Sequence, residues 1–226
     1  MKASEESLLN CKSQARTTFP FLRVVRIVDA EALCFYQRGL ASLFTHFNAQ
    51  LWDEACQLQA LLQSDDRPVE QQWFGNVAQC VPYLWLAVDP WHQVWAAASL
   101  TDCVVGRHAY LHGISHPSLR RHPAVTETAM AAIDTAYEAL GVLKVKAEFE
   151  ANNIGATGFC RRFGFVREAM FEQDNRVQGQ LCAVVVYSLF ANAYYHTQRR
   201  MLTHVIRTQK KRFAPARAGA PGHYPG

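Results

Sequence analysis

The pattern of apolar and polar residues along the chain predicts a succession of strands and helices. Short runs rich in β-branched and aromatic residues, bounded by turn residues, indicate strands. Such runs cover residues 21–28, 83–88, 94–101, 108–114, 142–150, 166–175 and 181–190. Apolar residues at helical spacing predict helices over residues 29–47, 51–62, 69–77, 125–140 and 153–163. Most of the chain is therefore expected to form one mixed α/β domain.

The stretch from residue 152 to 165 carries the most specific signal, because it joins the predicted strand 142–150 to the last two strands. Asn153 stands where that strand ends and a helix begins, so its short side chain can cap the helix or bind something at the strand end. Gly164 is expected to end the helix, since glycine accepts the left-handed conformation found there. One helical face carries the apolar residues Ala156, Phe159, Cys160 and Phe163.

This stretch resembles the C-terminal half of the GCN5-related N-acetyltransferases. The matching residues are Asn153, Ala156, Phe159, Gly164 and Phe165, and Cys160 stands where the family often has tyrosine. The order of the predicted elements also follows that of the family over about residues 21–190. The alternative is a strand–helix–strand unit in which the asparagine and the Gly-Phe pair are accidental.

The resemblance implies a mixed α/β fold class, the acyl-coenzyme A N-acyltransferase fold, with a central, mostly antiparallel sheet flanked by helices. It also implies one parallel pair of strands that splay apart, the strand ending near Ile114 and the strand beginning near Val142. The family's cofactor is acetyl-coenzyme A, whose pantetheine arm enters that gap as an added strand would. The residues expected to line the cofactor here are Ile114, Asn153, Ala156 and Phe159.

The family binds the pyrophosphate of coenzyme A at the loop before its central helix, where free amides and the helix dipole favour an anion. The matching residues here are Arg120, Arg121, His122, Pro123, Ala124 and Val125. Pro123 suits the first helical position but contributes no amide donor. Charge-assisted bonds from the two arginines and from His122 are expected to offset this loss. The alternative is an ordinary surface loop with solvated arginines.

Acetyl transfer to an amine needs a base, a polarised thioester carbonyl and reactants held in line. His112, in the predicted splayed strand, is the first candidate for the base, because its ordinary pKa suits neutral pH. Glu148 alternates with apolar residues on the adjoining strand and is a further candidate. A water chain or a solvated strand residue without a catalytic role is the alternative for each. The resemblance places the backbone N–H that meets the carbonyl oxygen within residues 113–115.

Cys160 occupies the position at which the family's tyrosine often protonates the leaving thiolate. It is therefore the candidate proton donor, and the alternative is a small apolar filler, since a buried thiol most often has that role. No metal site is expected. His108 and His112 share a strand face but lie about 13 Å apart by the usual rise per residue, which is too far for one ion.

The 7 cysteines are dispersed without a Cys-x-x-Cys pair, which argues against a disulfide framework or zinc site and predicts a reducing cytoplasm. The N-terminal residues lack the apolar run of a signal peptide, and no uncharged stretch is long enough to cross a bilayer. The net charge is +4, yet residues 191–226 hold seven Lys or Arg and no acid. The predicted parts are a flexible segment over 1–20, an acetyltransferase-like domain over 21–190 and a basic extension over 191–226.

The basic extension is predicted to begin with a helix over residues 194–212, with an apolar stripe of Met201, Leu202 and Val205. Residues 214–226 are rich in Pro, Gly and Ala, and are predicted to be disordered. Some basic extensions bind RNA or ribosomes, and others are solvated or dock on a neighbouring subunit. A nucleic-acid partner and a homodimer therefore both stay open.

These patterns favour an N-acetyltransferase that moves an acetyl group from acetyl-coenzyme A to a primary amine. Direct attack is expected, since no activated nucleophile is evident. The acceptor is expected to be a small-molecule or peptide amine. Two alternatives remain: a non-catalytic acyl-coenzyme A-binding module, favoured by Pro123 and the missing tyrosine, and an RNA-associated protein that acts through its tail.

Overall fold

The computed structural model describes residues 22–45, 79–119, 122–177 and 180–213. The strands within these ranges form one sheet, in which β1 is Arg23–Ile27, β2 Leu84–Val88, β3 Val94–Val104, β4 His108–Ser115, β5 Lys144–Glu150, β6 Val166–Val177 and β7 Gln180–Phe190. The predicted helices over 51–62 and 69–77 and the predicted terminal segments 1–20 and 214–226 lie outside the described residues.

The order of the strands in the sheet is β1-β2-β3-β4-β5-β7-β6. Each neighbouring pair is antiparallel except β4 and β5, which run parallel. A mostly antiparallel sheet with one parallel pair at its centre is the predicted fold class, and the structure confirms it. The parallel pair arises because β4 connects to β5 by a helix instead of a hairpin.

Four principal helices flank the sheet: α1 is Ala30–Thr45, α2 Pro123–Glu138, α3 Ile154–Phe163 and α4 Arg199–Phe213. α1 begins where the Asp29 carboxylate accepts a hydrogen bond from the backbone N–H of Ala32 at 2.8 Å, which caps the helix. The apolar stripe predicted for α1 is buried against β1–β3, and its members are Leu33, Tyr36, Leu40 and Leu43.

α2 covers the opposite face of the sheet from α1. Its buried stripe includes Ala129, Ala132, Ile133 and Ala136, which are all at most 5% exposed. β4 and β5 meet this stripe with the buried Ala109 and Val145. The strands alternate, so their other residues lie on the face that α1 covers only over the β1–β3 half.

α3 begins and ends at the residues that the sequence singles out. The side-chain oxygen of Asn153 accepts the backbone N–H of Ala156 at 3.0 Å, which makes Asn153 the N-cap. Gly164 adopts the left-handed conformation, with φ 78°, and its N–H bonds to the Arg161 carbonyl. Both predictions are confirmed, because capping chemistry depends on a few adjacent residues.

α4 follows a helical turn, Ala191–Ala193, and a π-helical turn, Tyr194–Gln198. Tyr194 is fully buried and its hydroxyl donates to the Asp134 carboxylate of α2 at 2.9 Å. The Arg199 guanidinium donates to both oxygens of the same carboxylate, at 2.9 and 3.1 Å. The predicted helix is therefore present and packs on the chain's own α2.

The buried side of α4 differs from the predicted stripe. Leu202 is fully buried and Ile206 is 7% exposed, whereas Met201 is 43% exposed. The prediction is wrong for Met201, whereas Leu202 belongs to the buried stripe and Val205 is half-buried. The contacts of Tyr194 and Arg199 with Asp134 select the face of α4 that meets α2, and periodicity within α4 does not contain that information.

Candidate active site between β4 and β5

β4 and β5 are paired over only part of their length. Their ladder contains His108↔Lys144, Ala109↔Val145 and Tyr110↔Lys146. β4 then continues to Ser115 and β5 to Glu150 without further pairing between them. The two strands thus part after Tyr110, and the predicted splay is confirmed. A gap of this kind can accept an extended ligand that bonds to the exposed backbone.

Strand alternation identifies the backbone groups that face this gap. The N–H of His116 bonds to Trp95 at 2.9 Å on the β3 side, so the backbone groups of Gly113 and Ser115 point the other way, towards β5. On β5, the N–H of Ala151 bonds to Ala183 on the β7 side, so Glu148 directs its backbone groups towards β4. The two unpaired segments therefore present donors and acceptors to each other across the gap.

Gly113 leaves the α2 side of the gap open. It follows Ala109 and Leu111 in the strand alternation, so a side chain here would project towards α2. A Cβ atom built on Gly113 meets only the carbonyl oxygen of Ala97 at 3.9 Å. The open space at Gly113 therefore belongs to the gap and not to the packed core.

The residues predicted to line the cofactor lie on β4 and on α3 with its N-cap. Ile114 is half-buried on β4 and packs against the cluster beneath α1. Asn153 and Ala156 form the capped start of α3, immediately after β5. The ring of Phe159 stacks on Phe163 with centroids 4.2 Å apart. Sheet topology brings Ile114 and Asn153 to the same end of the parallel pair, and their role towards a cofactor stays a prediction.

The start of α2 is held mainly by His122. Its Nδ1 accepts the backbone N–H of Ala124 at 3.2 Å, and its carbonyl accepts the N–H of Val125 at 3.2 Å. The N–H of His122 itself bonds to Leu119 at 2.8 Å. Pro123 has no N–H. Arg120 and Arg121 lie outside the described residues.

The start of α2 is formed by residues 122–125 of the predicted phosphate loop, whose binding of phosphate stays a prediction. The amides of Ala124 and Val125, expected to be free for an anion, are already bonded to His122. Burial lowers the pKa of His122, which is 8% exposed, and the positive charge of Lys210 lowers it further. A neutral imidazole suits the cap, because only the neutral ring can accept the bond from Ala124.

His112 lies on the open part of β4, on the face of the sheet opposite α2. Its Nε2 is 2.8 Å from the hydroxyl oxygen of Thr101 on β3, and that hydroxyl donates to the Asp102 carboxylate at 3.3 Å. Because the Thr101 hydroxyl donates its own hydrogen to Asp102, its oxygen accepts a hydrogen bond from the Nε2–H of His112. Nδ1 is then the basic nitrogen of the ring. Sequence reasoning missed Thr101, which the β3–β4 hairpin register alone brings beside His112.

The ring of His112 has a lowered pKa, mainly because neighbouring protein atoms displace water from it. The charges of Asp102 and Glu148 act in the opposite direction. Glu148 is exposed, and it continues the β4–β5 register to the position opposite His112 across the gap. Both predicted residues thus share one face of the sheet at the point where the strands part.

At the paired end of β4 and β5, side chains that contact one another line the face of the sheet opposite α2. Lys146 lies over the ring of Tyr110, with Nζ 5.1 Å from the centroid and 3.4 Å from the hydroxyl oxygen. Lys144 bonds both oxygens of Glu168 at 2.8 and 2.9 Å. Strand alternation and the β4–β5 register place Tyr110, Lys144 and Lys146 on one face. Glu168 lies on β6 at a register shift, so this rule does not predict its position.

Cys160 is 1% exposed and belongs to the core cluster that contains Phe163 and Phe165. Burial raises the pKa of its thiol to about 12. Its setting is that of a small apolar side chain packed inside the sheet–helix layer. The predicted role as proton donor stays a prediction, and the burial favours the filler alternative.

The described residues contain no group of three or more His, Cys, Asp or Glu side chains that could hold a metal ion. Across the same residues, no helix is both long enough and apolar enough to span a membrane. Among the cysteines in these ranges, Cys34, Cys103 and Cys160 are free thiols.

Several solved structures with a similar fold are described as acetyltransferases. A GCN5-related N-acetyltransferase from Brucella melitensis has a TM-score of 0.57 and 16% identity, over 88% of this chain and 87% of its own. A putative acetyltransferase from Salmonella typhimurium, solved with its cofactor acetyl-CoA, has a TM-score of 0.53 and 15% identity, over 75% and 93%. Mutant forms of the spermidine/spermine N-acetyltransferase from Vibrio cholerae have a TM-score of 0.54 and 14% identity, over 77% and 98%.

The chain thus has the fold of the GCN5-related N-acetyltransferases, as its sequence resemblance implied. No family model matches the chain, and no curated protein matches it by sequence. At 14–16% identity, these structures share the architecture and differ in most side chains. Activity must therefore be argued from the site itself.

Proposed function

We propose that this protein is an N-acetyltransferase of the GCN5-related type, which transfers the acetyl group of acetyl-coenzyme A to a primary amine. The observation that carries the proposal is the unpaired end of the β4–β5 pair. Buried parallel strands normally bond along their full length, because unpaired backbone groups are costly away from water. A gap that exposes such groups on both strands is best explained by a ligand that pairs with them.

The residues around the gap fit acetyl-coenzyme A in chemistry. Gly113 and Ser115 offer backbone groups to an extended amide-bearing arm, and Gly113 leaves room beside it. The start of α2, where a pyrophosphate would lie, adjoins the predicted cations Arg120 and Arg121. Ala156 and Phe159 on α3 would border the other side of the arm. When bound, the cofactor supplies an acetyl group activated as a thioester.

His112 would take the proton from the incoming ammonium group. Its Nε2 bonds to Thr101, so the ring is held in place with Nδ1 as the acceptor. The lowered pKa keeps the ring neutral, and therefore basic, at neutral pH. A backbone N–H of Gly113 or Ser115 would stabilise negative charge on the reacting carbonyl oxygen. Direct attack by the amine then needs no covalent enzyme intermediate.

Glu148 and Asp102 lie near His112 and would favour an acceptor that approaches as a cation. Both carboxylates act on the His112 ring electrostatically, so they lie close to it. The similar structure from Vibrio cholerae is a spermidine/spermine N-acetyltransferase, which acts on amines of this kind. We propose that the acceptor is a small-molecule or peptide amine. Glu148 would attract the positive charge of this amine. Glu148 would also serve as the base if His112 does not.

The proposal is tested by two measurements on the full chain. Calorimetric titration with coenzyme A should show binding, and thermal unfolding should shift upward with ligand concentration, because the ligand binds only the folded state. Release of free thiol from acetyl-coenzyme A should then depend on an added amine from a panel of polyamines, aminoglycosides and peptides. Absence of binding to coenzyme A would exclude the transferase function.

A non-catalytic acyl-coenzyme A-binding module is the second candidate. Two observations favour it, the occupied amides at the start of α2 and the burial of Cys160 where the family often has a tyrosine. Binding of coenzyme A without amine-dependent thiol release, across the whole panel, would identify this function.

The free thiols of Cys34, Cys103 and Cys160 support a reducing compartment, and we propose the cytoplasm. A homodimer stays a prediction. So does a nucleic-acid partner for the basic extension, although two of the cations in α4, Arg199 and Lys210, pair with acids of α2.

A further inference from the structure

The basic helix α4 ends beside the beginning of α2. Its first residue, Arg199, pairs with Asp134 in the second half of α2, and Lys210, near its last turn, pairs with Glu127 with Nζ 2.5 Å from the carboxylate. The two helices therefore run antiparallel. Glu127 is four residues after Pro123, the first residue of α2, so the last turns of α4 lie next to the place where the phosphates of the cofactor are expected.

α4 is strongly basic and contains no acidic residue. Arg207 and Lys210 line an open groove of about 680 Å³ between α4, α2 and the start of β1. Arg23 of β1 lines the same groove. The field of Lys210 extends to the cap of α2, where it lowers the pKa of His122. Arg207 and Lys210 thus lie at an open groove and not inside a packed interface.

The beginning of α2 needs such cations if it is to hold an anion. His122 and Leu119 occupy the amides of Ala124, Val125 and His122, and Pro123 has none. The backbone N–H groups that usually bind an anion at the start of a helix therefore already have partners at residues 122, 124 and 125. Side-chain cations can supply the attraction instead, and the positive charge of Lys210 reaches His122 at this end of α2.

We propose that α4 is part of the cofactor site and that Lys210, assisted by Arg207, binds a phosphoryl group of coenzyme A. This inference rests on the proposed function. The pair with Glu127 does not oppose it, since an exposed ion pair contributes little and Lys210 can exchange the carboxylate for a phosphate. The whole pyrophosphate or the 3′-phosphate is the better partner, because each carries more charge and more acceptor oxygens than one carboxylate.

The test is calorimetric titration of four full-length proteins with coenzyme A, dephospho-coenzyme A and pantetheine. The proteins are the wild type, Lys210→Gln, Glu127→Gln and Arg200→Gln. Arg200 is the matched control, because it is an exposed cation at the opposite end of α4. Lys210→Gln should weaken coenzyme A about tenfold to a hundredfold, as expected for one charge-assisted bond. Arg200→Gln should change affinity little, and no variant should change the affinity for pantetheine.

Glu127→Gln separates phosphate binding from a structural role of the ion pair. It breaks the same pair and leaves the lysine charge in place, so the affinity for coenzyme A should be kept or increased. An affinity loss in Glu127→Gln as large as that in Lys210→Gln would overturn the proposal. The charge-preserving variant Lys210→Arg should retain affinity, and thermal unfolding of each variant checks that α4 stays folded.

The dephospho-coenzyme A titration identifies the phosphate. If Lys210→Gln also lowers the affinity for dephospho-coenzyme A, Lys210 binds the pyrophosphate. If it lowers only the affinity for coenzyme A, Lys210 binds the 3′-phosphate. Equal affinity of the wild type and Lys210→Gln for coenzyme A would refute the role of Lys210 while the transferase function stands. Failure of the wild type to bind coenzyme A would instead refute the function itself.

Discussion

The lower half of the β4–β5 pair, which is paired up to Tyr110 and Lys146, and the upper half, which is unpaired after them, differ in what surrounds each strand. In the lower half, Ala109 and Val145 are fully buried beneath α2, and the ladder joins them directly. In the upper half, Gly113, His112 and Glu148 are exposed and the ladder is absent. The strands of the lower half are therefore held together by packing beneath α2, whereas those of the upper half border an open space.

Each strand keeps a second partner through the region where the pair parts. β4 stays bonded to β3 up to Ser115, and β5 stays bonded to β7 up to Glu150. The splay thus removes ladder bonds on one side of each strand only, and the twist between neighbouring strands separates their ends. The gap can persist without a ligand because its two walls are held by different parts of the sheet.

The largest expected effect comes from adding the same side chain to the two halves. Gly113→Val fills the open space beside β4 and should lower the affinity for coenzyme A on the order of a hundredfold, as misplacement of a bound group typically does. Unfolding should be nearly unchanged, because the nearest atom to a Cβ there is 3.9 Å away. Ala109→Val places its extra volume in the core and should instead cost about 1–3 kcal/mol of stability.

Titration with coenzyme A and thermal unfolding of both variants check this contrast. A Gly113→Val protein that binds coenzyme A like the wild type would contradict the assignment of the gap to the cofactor. A large stability loss in Gly113→Val would show that the upper half is packed and not open.

A smaller effect is expected from side chains on the opposite face. His112→Ala should lower kcat about a hundredfold, as loss of a general base commonly does. Tyr110→Phe, two residues earlier in the paired half, removes only the hydroxyl near Lys146 and should leave kcat almost unchanged. Steady-state kinetics of both variants with a saturating amine measure the difference.

The pH profile gives His112 a signature that a structural role lacks. A base acts in its neutral form, so the rate should rise with pH through the pKa of His112 and then level off. That pKa is lowered, so the midpoint of the acidic limb of kcat/KM should lie below the ordinary value of about 6.5. The limb should vanish in His112→Ala, and a limb that survives would point to Glu148 or to a water chain.

The smallest effect is expected at Cys160, which lies in the core and not in the gap. Cys160→Ala should leave kcat nearly unchanged and cost about 1 kcal/mol of stability. A proton donor would give the opposite result, a fall in kcat that Cys160→Ser partly restores by supplying a hydroxyl. Kinetics and chemical unfolding of the two variants distinguish the alternatives.

Local features of the fold could be predicted from the sequence. Several helices begin or end at Asp29, Asn153 and Gly164, which form hydrogen bonds to residues at most four positions away. The neighbouring residues in the sequence therefore suffice to predict these helix ends. The stripe of α1 and the alternation of β5 follow from periodicity for the same reason. The boundaries were less accurate: β3 runs on to Val104, beyond the predicted end at Thr101, and β5 begins at Lys144.

The candidate site could be predicted only in part. His112 and Glu148 were placed on neighbouring strands correctly, but Thr101 beside His112 depends on the register of a hairpin. The occupied amides of α2 depend on the ring of His122 turning inwards, which burial decides. Lys210 is 87 residues after Pro123 in the chain, so its arrival at the start of α2 leaves no trace in local pattern.

The amino-acid sequence by itself determined which segments are strands and helices, where several helices start and stop, and which family the order of elements resembles. These depend on bonds and contacts between residues near in the chain. The tertiary structure decided that β4 and β5 part after Tyr110 and that α4 lies along α2. Both outcomes depend on contacts between distant segments, because sheet twist and helix packing act on whole elements.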